Sequence, residues 1–138
     1  MDLVSTTHSK IRFCEVDPLG IVWHGHYVKY MEDGREAFGK EFNFNYMDFF
    51  DAGFIVPIVK MDLNYKRDIK YGDSIKIITR YVDSPAAKIL FDYEIYNAAT
   101  EELVTTGSTT QVFLDKKRQL QLAIPPMFEQ WKRHWKIV

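Results

Sequence analysis

Apolar and polar residues follow two different patterns along the chain, and together they predict an α+β domain. Between residues 24 and 42, apolar side chains recur at spacings of three and four, which is typical of one long amphipathic helix. Elsewhere apolar and polar residues alternate, as they do in strands that bury one face. This alternation predicts strands at residues 7–16, 55–66, 74–82, 88–96 and 103–114. Short turns between the later strands favour antiparallel pairing, so the helix should lie across an antiparallel sheet.

The predicted long helix has a continuous apolar stripe, formed by Tyr27, Met31, Gly34, Phe38 and Phe42. A glycine within a helix costs about 1 kcal/mol relative to alanine. We therefore expect Gly34 to let the helix backbone pack closely against the sheet.

Two shorter helices are expected outside this framework. Residues 44–54 are rich in rings and irregular in pattern, with one short helix predicted at residues 47–50. Pro125 and Pro126 suit the first turn of a C-terminal helix. The rings that follow at positions 128, 131 and 135 share one face of that helix, where we expect them to pack.

Length and composition restrict the class of protein. A chain of 138 residues fits one domain, covering residues 1–138. Its net charge of −1 provides no basic field for a nucleic acid. Cys14 is the single cysteine, which suits a reducing cytoplasm, and its place in an alternating run predicts that it is buried. We find neither a signal peptide nor an apolar run of about 18 residues, so we expect a cytoplasmic protein without a membrane span.

The junction between the first strand and the long helix carries the candidate chemistry. Asp17 lies just upstream of a helix N-terminus, whose unpaired N–H groups can bind an anion or an oxyanion. A carboxylate there could activate water or attack directly, but spacing alone favours a turn or capping aspartate. His24 and His26 diverge on a helix and lack further ligands, so no metal site is expected.

The segment from Asp17 to Tyr27, followed by Glu32 and Arg35, resembles the motif of the 4-hydroxybenzoyl-CoA thioesterase family of hot-dog proteins. That motif is D-x-x-G-x-V-x-(H/Y)-x-x-Y-x-x-x-x-E. The position of His24 is histidine in the short-chain acyl-CoA branch associated with the Tol-Pal cluster, and tyrosine in the hydroxybenzoyl branch. The resemblance implies an antiparallel sheet wrapped around one long central helix, and hydrolysis of an acyl-CoA without a metal or redox cofactor.

The same resemblance implies roles for individual residues. Asp17 corresponds to the catalytic nucleophile or general base, and the backbone N–H groups near His24 and Gly25 to the contact with the thioester carbonyl. The substrate-binding residues it implies are Gly20, Trp23, His26, Tyr27, Lys66 and Lys88. Of these, Gly20 corresponds to the turn glycine and Tyr27 to a tyrosine that usually packs. Glu32 and Arg35 are interpreted as a structural pair.

Several alternatives stay open at the level of the sequence. Lys66 and Lys88 suit the nucleotide phosphates of CoA, but both also fit ordinary solvated lysines. His26 suits either a polar contact near the carbonyl or a helix cap. The family implies a homodimer or homotetramer with sites at subunit interfaces. The carrier could be CoA or acyl carrier protein, and a non-catalytic acyl-CoA-binding protein is the alternative outside enzymes. The rings between positions 38 and 50 suggest an apolar pocket for an unspecified acyl group.

Overall fold

One long helix lies against a five-stranded antiparallel sheet in the computed structural model, which describes residues 2–137. The three α-helices are α1 (Tyr27–Phe42), α2 (Tyr46–Asp51) and α3 (Pro126–His134). The strands are β1 (Val4–Lys10), β2 (Phe54–Ile55), β3 (Ile58–Tyr65), β4 (Ser74–Val82), β5 (Lys88–Asn97), β6 (Leu103–Val112) and β7 (Leu114–Asp115). The predicted α+β class and the three predicted helices are therefore confirmed.

The order of strands in the large sheet is β1-β4-β5-β6-β3. Pairing between chain neighbours is confirmed for β4 with β5 and for β5 with β6, but it is wrong for β3 with β4. Strand β3 instead pairs with β6 at the far edge, because the segment from 66 to 73 crosses the end of the sheet. The buried side chain of Ile69 anchors this segment, and its carbonyl accepts a hydrogen bond from the Val22 amide at 2.8 Å.

The first strand was predicted at residues 7–16 and lies instead at Val4–Lys10. Its ladder ends where Lys10 faces Ser74, since β4 begins there and offers no further partner. A 3-10 turn, Phe13–Glu15, follows. The prediction that Cys14 is buried is consequently wrong, because this turn leaves its side chain exposed.

Helix α1 buries the predicted stripe along its whole length. The close approach expected at Gly34 is also confirmed, because a β-carbon there would overlap Oγ1 of Thr79 on β4. A helix of 16 residues is about 24 Å long, so α1 separates two ends of the molecule that differ in character.

Helix α3 covers the C-terminal end of α1 with aromatic rings. Phe128 is fully buried, and the indole N–H groups of Trp131 and Trp135 both donate to the carbonyl of Phe42, at 2.9 and 3.0 Å. The predicted packing role of this face is therefore confirmed. No helix within residues 2–137 combines the length and the apolar character that a membrane crossing requires.

Candidate active site

Asp17 lies in a tight loop that is closed by main-chain hydrogen bonds. Val16 pairs with Val22, and the Asp17 amide donates to the carbonyl of Ile21 at 2.8 Å. The Gly20 amide donates back to the carbonyl of Asp17 at 2.9 Å. Gly20 has φ +81°, a conformation that is unfavourable for other residues, so glycine is needed for this closure. The loop therefore returns the chain directly to the start of the helix.

The carboxylate of Asp17 is half-buried and only partly engaged. Its Oδ1 accepts a hydrogen bond from the Leu19 amide at 2.8 Å. This is the interaction expected of an aspartate that stabilises a turn. Its Oδ2 has no hydrogen-bond partner among the residues that the structure describes. One oxygen thus orders the loop while the other is available to a ligand.

Glu15 anchors this loop to the helix, and the sequence interpretation missed it. Its buried carboxylate accepts hydrogen bonds from the Tyr30 hydroxyl at 3.1 Å and from the Arg12 amide at 2.8 Å. Its carbonyl accepts one from the Trp23 amide at 3.0 Å. Burial alone would raise the pKa of Glu15, but these donors and the nearby cations of Arg12 and Lys29 lower it. In the sequence Glu15 looked like a strand residue, so nothing indicated this contact.

The start of the long helix presents unpaired N–H groups. A 3-10 turn, His24–His26, precedes α1, and no side chain of residues 2–137 caps either element. Within residues 2–137, the amides of His24 and Gly25 have no hydrogen-bond acceptor. Such amides carry the positive end of the helix dipole and suit an oxyanion. The half-exposed Trp23 ring lies directly against Gly25, where a β-carbon would overlap it.

The other side chains around this turn are aromatic. The rings of His24 and His26 lie 5.0 and 5.4 Å from that of Trp23, measured between centroids. Tyr27 is buried, its ring packs edge-on against Tyr65 with centroids 4.9 Å apart, and burial raises its pKa to about 12. The Tyr65 hydroxyl donates to the carbonyl of His24 at 3.0 Å. The end of β3 is thereby attached to the start of the helix.

The two candidate phosphate ligands lie at opposite ends of one subunit. Lys66 follows Tyr65 directly and is exposed at the same end as the Asp17 loop. Lys88 begins β5, which spans ten residues and therefore about 30 Å. The end of β5 that approaches the Asp17 loop is Asn97, opposite Ile75. A single chain therefore does not bring Lys88 together with Asp17.

A cleft of about 840 Å³ opens beside the C-terminal half of α1. Its apolar walls are formed by Phe44, Met47, Phe50, Phe54, Ile55, Val56 and Ile58. The apolar pocket expected from the ring-rich segment therefore exists in part. Phe44, Tyr46 and Phe50 line it, whereas the other predicted rings, Phe38, Phe42 and Phe49, lie in the core. Neither Asp17 nor His24 lines this cleft.

Arg35 lies in the wall of the cleft and corrects another expectation. The predicted pair with Glu32 is wrong, because Nη1 of Arg35 donates instead to the hydroxyl of Tyr93 at 3.1 Å. Tyr93 lies on the neighbouring sheet and shares a hydrogen bond of 2.7 Å with Thr109. Both residues line the cleft, but Arg35 is 8% exposed whereas Glu32 is exposed.

Comparison with known proteins identifies the family of this chain. A model of the thioesterase-like superfamily matches residues 11–132, which include both the Asp17 loop and the cleft. The chain belongs to that superfamily. A thioesterase-like protein of Bacillus subtilis (strain 168), YneP, is named as a candidate acyl-CoA thioesterase and is 31% identical over 93% of this chain and 92% of its own.

Other thioesterase-like proteins match over most of this chain. The crystal structure of a DHNA-CoA thioesterase from Staphylococcus aureus superposes with a TM-score of 0.86 at 26% identity, covering 97% of this chain and 91% of that one. An acyl-acyl carrier protein thioesterase of Arabidopsis thaliana, ATL3, is 26% identical over 78% of this chain and 57% of its own length. The predicted hot-dog fold is therefore confirmed, and the chain is a thioester hydrolase.

Proposed function

We propose that this thioesterase hydrolyses an acyl-CoA to a free acid and CoA, with Asp17 as its catalytic carboxylate. The observation that carries the proposal is Oδ2 of Asp17, which has no hydrogen-bond partner within residues 2–137 and lies on a loop that pairs directly with the chain entering the helix. The unpaired amides of His24 and Gly25 begin that helix. A base or nucleophile and an oxyanion site are the two elements that hydrolysis of a thioester requires.

The proposed chemistry takes one of two forms. As a general base, Asp17 removes a proton from water while the water oxygen bonds to the thioester carbon. As a nucleophile, it forms an anhydride that water then opens. In both forms the carbonyl oxygen becomes negative, the carbon–sulfur bond breaks, and the departing thiolate of CoA takes up a proton. One donor such as the Gly25 amide stabilises the oxyanion by about 3 kcal/mol.

CoA is the proposed carrier because two relatives that match over nearly all of both chains are named for CoA thioesters. YneP and the Staphylococcus aureus enzyme are both named as thioesterases of CoA esters, and both match over at least nine-tenths of this chain. ATL3 supports acyl carrier protein as a second candidate over a shorter region. We further propose that His24 assigns the chain to the short-chain branch associated with the Tol-Pal cluster. The carboxylate of Asp17 argues against the non-catalytic alternative, because a protein that only binds acyl-CoA needs no carboxylate next to the thioester.

We propose that two copies of the chain join through β3 and complete the site. This strand is an edge of the sheet, and the side chains of Val59 and Tyr65 on it are 59% and 50% exposed. Apolar edge strands are usually covered. A two-fold axis through the middle of β3 brings Tyr65 of one protomer next to Ile58 of its partner. Since Tyr65 contacts the turn at His24 and Ile58 lines the cleft, each Asp17 loop would face the cleft of the partner.

The dimer also accounts for the two lysines that one chain separates. Lys66 lies at the end of β3 that holds the Asp17 loop, and Lys88 lies at the end that holds the cleft. The proposed two-fold axis exchanges these ends, so Lys66 of one protomer and Lys88 of its partner would flank one bound CoA. A homotetramer formed from two such dimers is compatible with the same site.

The test is CoA release from short, long and aromatic acyl-CoAs by the wild type and by Asp17→Asn. We expect release by the wild type and a loss of at least about a hundredfold in kcat in the variant, because a general base is removed. Asp51→Asn, on an exposed residue outside both the loop and the cleft, is the matched control and should leave kcat unchanged. If kcat of Asp17→Asn lies within threefold of the wild-type value, Asp17 is not the catalytic carboxylate. Activity only with the same acyl groups on acyl carrier protein would transfer the proposal to that carrier.

A further inference from the structure

We infer that the cleft selects an acyl group or an acid that carries a free carboxylate, and that Arg35 is the residue that recognises it. The inference rests on the proposed function for the reaction and adds the chemistry of the group at the far end of the substrate. Its basis is a buried guanidinium in the wall of a cleft whose other charged lining residues, Glu32, Glu36 and Lys40, are exposed.

Arg35 is a buried cation without an acidic partner. The residue is 8% exposed, and no carboxylate of residues 2–137 lies within 4.0 Å of its nitrogens. Its hydrogen bond to a neutral group, the Tyr93 hydroxyl, does not balance its charge. Buried charges in proteins are normally paired. An anionic ligand would supply the missing partner.

The remaining guanidinium nitrogens are available to such a ligand. Nε and Nη2 of Arg35 donate to no acceptor within the described residues, where Nη1 alone has a partner. In the same residues, the only fully enclosed side-chain nitrogen or oxygen atoms without a partner are the hydroxyl oxygens of Thr79 and Thr105. The two free nitrogens therefore retain access through the cleft that Arg35 lines. They form the edge of a guanidinium that can bind a carboxylate through two parallel hydrogen bonds.

The surroundings favour a carboxylate attached to an apolar body. Much of the wall is aromatic or aliphatic, and a cleft of about 840 Å³ is of the size that takes a small organic ligand. Beside Arg35, the Tyr46 hydroxyl donates to Gln111 at 2.9 Å, and the Gln111 amide donates to the carbonyl of Val56 at 3.2 Å. The hydroxyl of Tyr46 and the amide of Gln111 therefore already donate to acceptors within the protein. A neutral hydroxyl on the ligand would leave the charge of Arg35 unbalanced, whereas a carboxylate would neutralise it.

Two acidic side chains at the rim of the cleft oppose the binding of a carboxylate. Glu32 and Glu36 also line the cleft, but both are exposed, and Glu36 is paired with Lys40 at 3.6 Å. Water screens charges at an exposed rim more effectively than charges in a buried wall. We therefore expect Glu32 to weaken the binding of an acid slightly and Arg35 to dominate.

The experiment measures binding and turnover separately. Calorimetric titration compares octanoate with octanol on the wild type, Arg35→Met, Arg35→Lys and Glu32→Gln. We expect the wild type to bind octanoate at least about tenfold more tightly than octanol, since a hydrogen bond to a charged group has that effect or more. Arg35→Met should abolish the preference, Arg35→Lys should retain part of it, and Glu32→Gln should increase it. CoA release from suberyl-CoA and octanoyl-CoA then reports whether the preference extends to substrates.

The outcomes separate this inference from the proposed function. Equal binding of octanoate and octanol by the wild type would overturn the inference, whether or not any variant folds. Persistence of the preference in a folded Arg35→Met protein would overturn it as well. Hydrolysis of octanoyl-CoA without any preference for suberyl-CoA would leave the proposed function intact and remove the extension to substrates. Absence of hydrolysis with every acyl-CoA would instead refute the proposed function, and octanoate binding would still decide the role of Arg35.

Discussion

The two ends of helix α1 differ in how their polar groups are paired and how far they are exposed. At its start, the Asp17 loop is closed mainly by main-chain hydrogen bonds, and a carboxylate oxygen and two amides have no partner among the described residues. At its end, α3 encloses the Phe42 carbonyl and gives it two indole donors. Trp23 at the first end is 48% exposed, whereas Trp131 at the second is 9% exposed. One end keeps polar groups available to a ligand, and the other pairs them to stabilise the fold.

The difference shows how this fold keeps reactive groups without losing stability. Unpaired polar atoms cost little at an exposed helix start, where water can reach them, but they would be costly in the aromatic core. The aromatic end contributes burial, which supplies the stability that the polar end lacks. Variants at the two ends should therefore separate effects on activity from effects on unfolding.

The largest contrast is expected from the same substitution at both ends, Trp131→Ala and Trp23→Ala. Trp131 packs against Phe44 and Tyr81 with ring centroids 4.8 and 5.2 Å away, so its loss should lower the free energy of unfolding by about 3–5 kcal/mol. Loss of the half-exposed Trp23 should lower the free energy of unfolding by less than about 1 kcal/mol and should raise KM instead. Urea unfolding and acyl-CoA kinetics measure both quantities. Similar losses of stability in the two variants would break the comparison.

An asymmetry is expected within the ion pair that attaches α3 to the sheet. Nζ of Lys132, which is 2% exposed, lies 2.8 Å from Asp83, whose side chain is 41% exposed. Asp83→Asn leaves a buried ammonium that faces only neutral acceptors, among them the Ser84 carbonyl, and should cost about 2 kcal/mol, reduced by the exposure of Asp83. Lys132→Met leaves a carboxylate that water can solvate and should cost less. Thermal unfolding of both variants gives the order, and the reverse order would contradict this account.

The variant Glu15→Gln tests whether Glu15 anchors the Asp17 loop to helix α1. Glu15→Gln should cost about 1–2 kcal/mol at neutral pH, because hydrogen bonds to a charged acceptor are weakened. Its folded-state pKa lies below the ordinary value of 4.5, so the ionised form stabilises the fold above that pH. The contribution is lost as the pH falls through the lower folded-state pKa. The difference between wild type and variant should therefore shrink below about pH 4.5. Unfolding curves from pH 7 to pH 3 measure it, and a constant difference would exclude this role.

The smallest effects are expected in the middle of α1. Gly34→Ala should destabilise by about 1 kcal/mol, because overpacking against Thr79 exceeds the gain in helix propensity. Thr79→Val replaces a fully buried hydroxyl that has no partner within the described residues, and it should be neutral or stabilising by up to about 1 kcal/mol. Chemical denaturation resolves both changes. A stabilised Gly34→Ala protein would show that the sheet yields more readily than this packing suggests.

Local features of the chain were predictable where short-range physics decides them. The stripe of α1 follows from its spacing, and Gly20 follows from the turn that it closes. The exposed position of Cys14 was missed, because the end of β1 depends on where β4 begins, far along the chain. The buried Glu15 and the partner of Arg35 were missed for the same reason, since Tyr30 and Tyr93 approach them only after folding.

The sequence by itself determined the class of fold, the long helix and the position of a carboxylate at its start. Those features depend on periodicity, turn chemistry and spacing, which act over a few residues. Tertiary structure alone decided that β3 lies at the edge beside β6, that Lys66 and Lys88 are separated within one chain, and that a cleft forms around Arg35. Strand order and cavity shape depend on which distant segments pack together, and local patterns carry no information about that choice.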